Sequence, residues 1–355
     1  MRDEDRFSGT MPVQERHAFD TAALDAWMKA NVADYKGPME LRQFKGGQSN
    51  PTFLVFTPTH KYVLRRKPPG KLLPSAHAVD REFRVIKALH GTDVPVAKAH
   101  ALCEDDSVIG TAFYVMDCVE GRIFWDPTLP DLPREERAGI YDAMNRTIAA
   151  LHSVDYAAIG LGDFGKPGDY FARQIARWSK QYKASETESI PAMDKLIEWL
   201  PANIPPGDET SIVHGDYRLD NMIFHPTEPR VIAVLDWELS TLGHPLGDFS
   251  YHLMAWHLSP EQFRGLAGAD LAALGIPSEA EYCKLYCQRT GRDGIPHLDF
   301  YMAYNMFRIT GILQGIMGRV KDGTAASAHA LESGKRARPI AEMAWAVVER
   351  MTGGK

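Results

Sequence analysis

The segment His214-Gly215-Asp216-Tyr217-Arg218-Leu219-Asp220-Asn221, followed fifteen positions after Asn221 by Asp236, carries the residue types needed to move a phosphoryl group. Transfer to a hydroxyl requires one carboxylate to orient the hydroxyl and accept its proton, and oxygen ligands for the metal ion that neutralises phosphate charge. Asp216 suits the first task. Asn221 and Asp236 suit the second, because a hard cation such as Mg2+ takes oxygen donors and completes its shell with water and phosphate. An isolated Asp-x-x-x-x-Asn is also common in surface turns, where both side chains satisfy backbone groups. The full set of His, Asp, Asn and Asp between apolar runs favours the catalytic reading.

Such a site also needs a cover for the phosphates and a basic group. Phe44 to Val55 reads as a glycine turn entering an alternating strand, with Gly46, Gly47, Gln48, Ser49 and Asn50 at the turn. Glycine backbone can approach phosphate oxygens closely, although an ordinary hairpin turn would look the same. This is not a Walker loop, since no Gly-Lys-Ser/Thr opens a helix. Arg65 ends the next strand, and Glu82 lies in the helix-patterned stretch from Ala78 to His90. An Arg65–Glu82 ion pair could aim the cation at nucleotide phosphates; the alternative is a solvated surface pair of little energetic consequence.

The elements that must position these residues are visible as short apolar runs. Ser211 to Val213 and Val231 to Leu235 are rich in β-branched residues and read as strands, with Met222 to Phe224 as another and residues 225–229 as its turn. Asp216 and Asn221 then fall on a loop between strands, and Asp236 at a strand end facing back to them. Residues 1 to about 20 look like a loose arm. A helix near Thr21 to Val32 and alternating strands running to Ala112–Met116 make a small α/β lobe, closed by a hinge at residues 117–121. Helical patterns dominate afterwards, over Arg134 to His152, Tyr170 to Lys183 and Phe300 to Val320.

The order of glycine loop, basic strand end, helix Glu, His-Gly-Asp-x-x-x-x-Asn and Leu-Asp-Trp-Glu resembles the aminoglycoside phosphotransferase family of protein-kinase-like enzymes. The stretches Tyr62 to Pro69, His214 to Asn221 and Leu235 to Asp248 are similar to the branch that also occurs as the kinase-like N-terminal domain of acyl-CoA dehydrogenase fusion proteins. The resemblance implies an α+β, bilobal protein-kinase-like fold: a flexible N-terminal arm over residues 1–20, a nucleotide-binding N-lobe with an antiparallel sheet over 21–117, and a larger, mainly helical catalytic and acceptor-binding C-lobe over 118–355. It also implies Asp216 as catalytic base, Asn221 and Asp236 as Mg2+ ligands, and ATP or GTP as phosphoryl donor. The nucleotide would be held by Gly46, Gly47, Gln48, Ser49, Asn50, Arg65 and Glu82, with Met116 and Cys118 at the hinge where backbone groups meet the adenine. Arg65 stands where many relatives have lysine, and an arginine does not fill a lysine site identically. No long segment resembling a protein-kinase activation loop follows Asp236.

Composition fits such an enzyme. The chain has 355 residues, 45% of them hydrophobic, enough for two lobes and a substantial core. Forty basic against forty-six acidic residues give a net charge of −6, which argues against nucleic acid as principal partner. Four cysteines without a metal-site pattern read as reduced thiols of a cytoplasmic protein, and Cys283 and Cys287 are one helical turn apart. No apolar run of spanning length and no secretory signal are present, so no membrane role is expected. His214 precedes the Asp216 loop, and His152, His244, His252 and His257 show no metal-site spacing that outweighs ordinary structural use.

The acceptor is read from charge. Lys166, Arg173, Arg177, Lys180 and Lys183 are interleaved with Tyr170, Phe171, Trp178 and Tyr182, and a second basic concentration comprises Arg308, Arg319, Lys321, Lys335, Arg336 and Arg338. If both border the acceptor cleft, an anionic small-molecule hydroxyl acceptor is favoured over a polycationic one, and the resemblance points to a hydroxyacyl-CoA. The aromatic stripe reads equally as core and the basic one as its solvated face. An aminoglycoside or amino-alcohol kinase is the alternative within this class. A nucleotide-binding pseudokinase regulating a partner, such as a separately encoded acyl-CoA dehydrogenase, is the alternative outside it, although a pure binding module has no need of a base and two metal ligands. Asp248 is a further cleft candidate that could equally cap the following helix.

Overall fold

Alternating apolar residues of three central strands meet on one face of an antiparallel sheet, and that face organises the first part of the chain. The computed structural model describes residues 9–45, 50–68, 78–323 and 330–353. Strands β1 (Thr10–Met11), β2 (Glu40–Phe44), β3 (Thr52–Phe56), β4 (Lys61–Arg66), β5 (Ala99–Cys103) and β6 (Phe113–Asp117) form a sheet of order β1-β2-β3-β4-β6-β5. Phe53, Val55, Tyr62, Leu64, Phe113 and Val115 point to the same side, as the two-residue period of a strand requires, and are buried against Leu24 and Met28 of helix α1 (Thr21–Asn31). The Asp20 side chain starts α1 by accepting from the Ala22 and Ala23 N–H groups. Residues 9–20, expected as a loose arm, are tied to the sheet: β1 pairs with β2, Phe19 meets the Phe53 ring edge-on at 5.3 Å, and Arg66 donates to the His17 carbonyl.

Helix α2 (Val79–Leu89) packs on β5 and β6 through Val79, Val85, Ile86 and Leu89. Glu82 lies on that same buried stripe, so helical periodicity itself carries a carboxylate into the interior.

The chain divides into two compact units that are not contiguous in sequence. The first contains residues up to Trp125 together with Asp155–Phe164 and Arg218–Ser240, and so includes the sheet, α1, α2 and the hairpin of β8 (Met222–Phe224) with β9 (Val231–Val234). The second contains Asp126–Val154, Gly165–Tyr217 and the chain from Thr241 onward. It includes β7 (Ser211–Val213), paired antiparallel with β10 (Thr241–Gly243), and is otherwise mainly helical. Its long helices are α3 (Arg134–Ser153), α4 (Tyr170–Ala184), α5 (Pro191–Ala202), α6 (Pro245–His257), α7 (Glu279–Thr290), α8 (Leu298–Lys321) and α9 (Ala337–Met351). Helix α8 is buried along most of its first four turns and packs against α4, α6 and α9, while α3 packs against α7 and β7. Among the described residues, no helix is long and apolar enough to cross a membrane.

Candidate active site

In the first unit, the sheet and α2 bring Arg65 to its expected partner Glu82 and also to Asp236, expected only as a metal ligand. Arg65 is buried on β4, with Nε 2.9 Å from Glu82 Oε2 and Nη2 2.6 Å from Asp236 Oδ1; Glu238 Oε2 is 3.6 Å away. Burial works against the guanidinium charge, but Glu82 and Asp236 outweigh it and hold Arg65 above its ordinary value. Glu82 also accepts from Asn50 Nδ2 at 2.8 Å and from the Tyr114 hydroxyl at 3.1 Å. Burial raises the Glu82 carboxyl despite these donors and the Arg65 charge. The forked side chain thus spans two carboxylates at once, which a single ammonium could not reproduce with the same directions. Asn50 is fastened to Glu82; Gly46, Gly47, Gln48 and Ser49 lie outside the described residues.

The expected metal ligands sit on adjoining strand ends. The Leu235 N–H donates to the Asn221 carbonyl at 2.8 Å, and Met222 faces Val234 across the hairpin, so Asn221 lies across from the residue that precedes Asp236. Asp236 has φ of 62° and ψ of 63°, a left-handed conformation uncommon for a side-chain-bearing residue and frequent where a backbone is bent to aim a functional group. Both residues are half-buried. At the end of β6, Met116 pairs with Val63, and the Cys118 N–H donates to the Lys61 carbonyl at 3.0 Å. That N–H is therefore committed to the sheet.

In the second unit, β7 runs into the loop that carries Asp216, the expected base, and α6 and α8 hold it. Buried Asp248, in the first turn of α6, accepts from the His214 N–H at 2.7 Å and the Gly215 N–H at 2.8 Å. Burial would raise its pKa, but His152, 3.3 Å away, and the loop N–H donors hold it below the ordinary value. Asp248 thus holds the His214–Gly215 backbone, while His244 occupies the N-cap of α6. Gly215 has φ of +84°, a region that favours glycine. The Asp216 N–H donates to His214 Nδ1 at 3.2 Å, and the Tyr251 hydroxyl donates to Asp216 Oδ1 at 2.5 Å. Arg308, buried on α8, donates to the Gly215 carbonyl at 2.6 Å and stacks over the Trp178 and Tyr251 rings.

Sequence reasoning missed Glu238, Tyr251 and the structural use of Arg308, because each acts through a neighbour distant in the chain. The aromatic stripe of α4 resolves in favour of core: Phe171, Ile175, Trp178 and Tyr182 are all buried. Several basic residues of the two cationic segments are paired locally, Lys183 with Asp194, Lys335 with Glu332 and Arg338 with Glu188. Asp216 belongs to the second unit, and Asn221, Asp236, Arg65 and Glu82 to the first.

Residues 40–283 match the phosphotransferase enzyme family, APH. A protein assigned as an aminoglycoside phosphotransferase in Ralstonia eutropha JMP134 has a crystal structure that is 64% identical, covers 94% of this chain and 99% of its own, and superposes with a TM-score of 0.87. A thermostable mutant of aminoglycoside phosphotransferase APH(4)-Ia, in ternary complex with AMP-PNP and hygromycin B, shares the fold with a TM-score of 0.59 at 16% identity over 92% of this chain and 99% of its own. Acyl-CoA dehydrogenase family member 10 of Mus musculus is 49% identical over 95% of this chain, which spans about a third (32%) of that protein's length. The chain belongs to the APH phosphotransferase family and is a kinase-like phosphotransferase of α+β fold.

Proposed function

We propose that the protein is a Mg2+-dependent small-molecule kinase that moves the γ-phosphoryl group of ATP or GTP to an acceptor hydroxyl. The observation that carries this reading is the Arg65 fork between Glu82 and Asp236, beside a hairpin that presents Asn221 and Asp236 on neighbouring strand ends. Two oxygen donors with no thiolate or imidazole among them fit Mg2+. Asn221 and Asp236 would hold the ion, which when bound supplies positive charge to the phosphate oxygens. Arg65, kept charged by its carboxylate partners, contacts phosphate. Cys118 contributes its carbonyl to the adenine, since its N–H is used in the sheet.

Asp216 is the base. Its carboxylate orients the acceptor hydroxyl and takes its proton as the hydroxyl oxygen bonds to the γ-phosphorus, while the bond from that phosphorus to the β,γ-bridging oxygen breaks and the nucleoside diphosphate leaves. Tyr251 fixes the Oδ1 side of that carboxylate. On this reading, the first unit holds nucleotide and metal and the second holds the base.

For the acceptor, the match to an acyl-CoA dehydrogenase family member supports a hydroxyacyl-CoA, phosphorylated on its hydroxyl. The match to a protein assigned as an aminoglycoside phosphotransferase supports the competing aminoglycoside or amino-alcohol acceptor. The local pairing of Lys183, Lys335 and Arg338 removes part of the charge argument for an anion. ADP release across a panel of hydroxyacyl-CoAs, free hydroxy acids, aminoglycosides and amino alcohols tests this. Selective turnover of hydroxyacyl-CoAs is the expected outcome, and selective turnover of a cationic acceptor contradicts that choice while leaving the kinase reading intact.

A further inference from the structure

A second group of chemically capable side chains lies at the opposite end of β4 from Arg65. His60 Nε2–H donates to Asp117 Oδ1 at 2.8 Å, and His100 Nε2–H donates to the same oxygen at 2.6 Å. One ligand atom from each residue lies within 4.8 Å of the others. We propose that His60, His100 and Asp117 form a binding site for a divalent transition-metal ion of zinc type.

Three local features build this arrangement. His60 closes the β3–β4 turn, where the Thr57 N–H and hydroxyl both donate to the His60 carbonyl. His100 falls at an irregularity in the β5–β6 register, between Ala99 paired with Met116 and Ala101 paired with Val115. A bulge of that kind re-aims a side chain that regular pleating would direct elsewhere. Asp117 ends β6 with its N–H donating to the Lys98 carbonyl. Tyr62 lies against both imidazoles, at ring-centroid distances of 4.4 Å from His60 and 5.4 Å from His100, and limits their swing.

Donor chemistry selects the ion. Two imidazoles and a carboxylate suit zinc or a neighbouring transition metal, whereas Mg2+ prefers oxygen alone. A tetrahedral ion with ligands near 2.0–2.1 Å separates its donors by about 3.3 Å, so the present contacts need open by only roughly half an ångström once the bridging protons leave. His100 is largely buried while the His60 side chain is 43% exposed, so the ion has an entry path and a coordination position for water. The ion would join the β3–β4 turn, β5 and β6 at the point where the chain enters residues 117–121. This site is independent of the kinase reading, since none of its residues is the base, the phosphate contact or a proposed Mg2+ ligand.

The test is equilibrium dialysis of Zn2+ against the untagged full chain in excess Mg2+, with His60→Ala and His100→Asn measured alongside and folding checked by circular dichroism. One zinc per chain is expected, with affinity falling by more than about tenfold in each variant. Substitution with Co2+ should give a nitrogen and oxygen spectrum without a thiolate charge-transfer band. No zinc bound at micromolar concentration, equal affinity in wild type and His60→Ala, or a thiolate band that places the ion at Cys283 and Cys287 each overturns the proposal.

Discussion

At the residue scale, the proposed catalysis rests on side chains whose orientation is set by a second side chain. Tyr251→Phe removes the hydrogen bond to Asp216 Oδ1 and leaves the ring packing in place. The expected result is a fall in kcat of about tenfold with little change in nucleotide KM, because a misaligned base affects the transition state more than binding. An unchanged kcat would remove Tyr251 from the positioning role. Arg65→Lys separates charge from shape: the ammonium retains the charge but cannot lie against Glu82 and donate to Asp236 at once. Nucleotide kcat/KM should fall by about tenfold or more, and activity equal to wild type would show that only the positive charge at this position matters.

At the element scale, α6 carries both the anchor of the catalytic loop and two buried imidazoles. Asp248→Asn offers one acceptor oxygen where two loop N–H groups need one each, so stability should drop by about 1–3 kcal/mol and turnover with it. Urea unfolding checks the first and steady-state kinetics the second; an unchanged midpoint would mean that the loop N–H groups find other acceptors. His244 and His252 have pKa values lowered to about 4 by burial. Unfolded, each titrates near the ordinary value of about 6.5, so the unfolded chain binds more protons between those values. Their stabilisation is therefore present above about pH 6.5 and lost as pH falls toward 4, amounting to about 2 kcal/mol per ring at pH 5. Urea titrations at pH 7.5 and 5.0 should show that loss, with a shallower pH dependence in His252→Gln; the same pH dependence in both proteins would rule His252 out as its source.

The strands and helices that carry the site were legible in the sequence because their signals are local. The β-branched runs around the His-Gly-Asp loop became β7, β8 and β9, and the apolar period of residues 78–90 became α2 with Glu82 on its buried stripe. What was not legible joins distant segments. Nothing in the neighbourhood of Asp248 says that it will hold the backbone of His214 and Gly215, and nothing beside Tyr251 or Arg308 names their targets. The tie between residues 10–19 and the sheet was likewise hidden, because a two-residue edge strand has no periodicity to detect.

At the scale of the whole molecule, the chain combines a sheet-based unit carrying Arg65 and the expected metal ligands with a mainly helical unit carrying Asp216, the proposed base. The large share of buried residues in α8 gives the second unit a rigid backing for its loop, and rigid backing is what holds a base in productive geometry. On the proposed function, the molecule makes a phosphomonoester by the action of Asp216. The most direct measurement is 31P NMR of ATP, Mg2+ and a mixed pool of hydroxyl acceptors incubated with wild type and with Asp216→Asn. A new phosphomonoester resonance growing as the γ-phosphate signal declines, and lower by about a thousandfold or more in the variant, is the predicted result. A phosphomonoester formed at the same rate by both proteins would contradict the account, as would ATP converted only to ADP and inorganic phosphate in every acceptor pool.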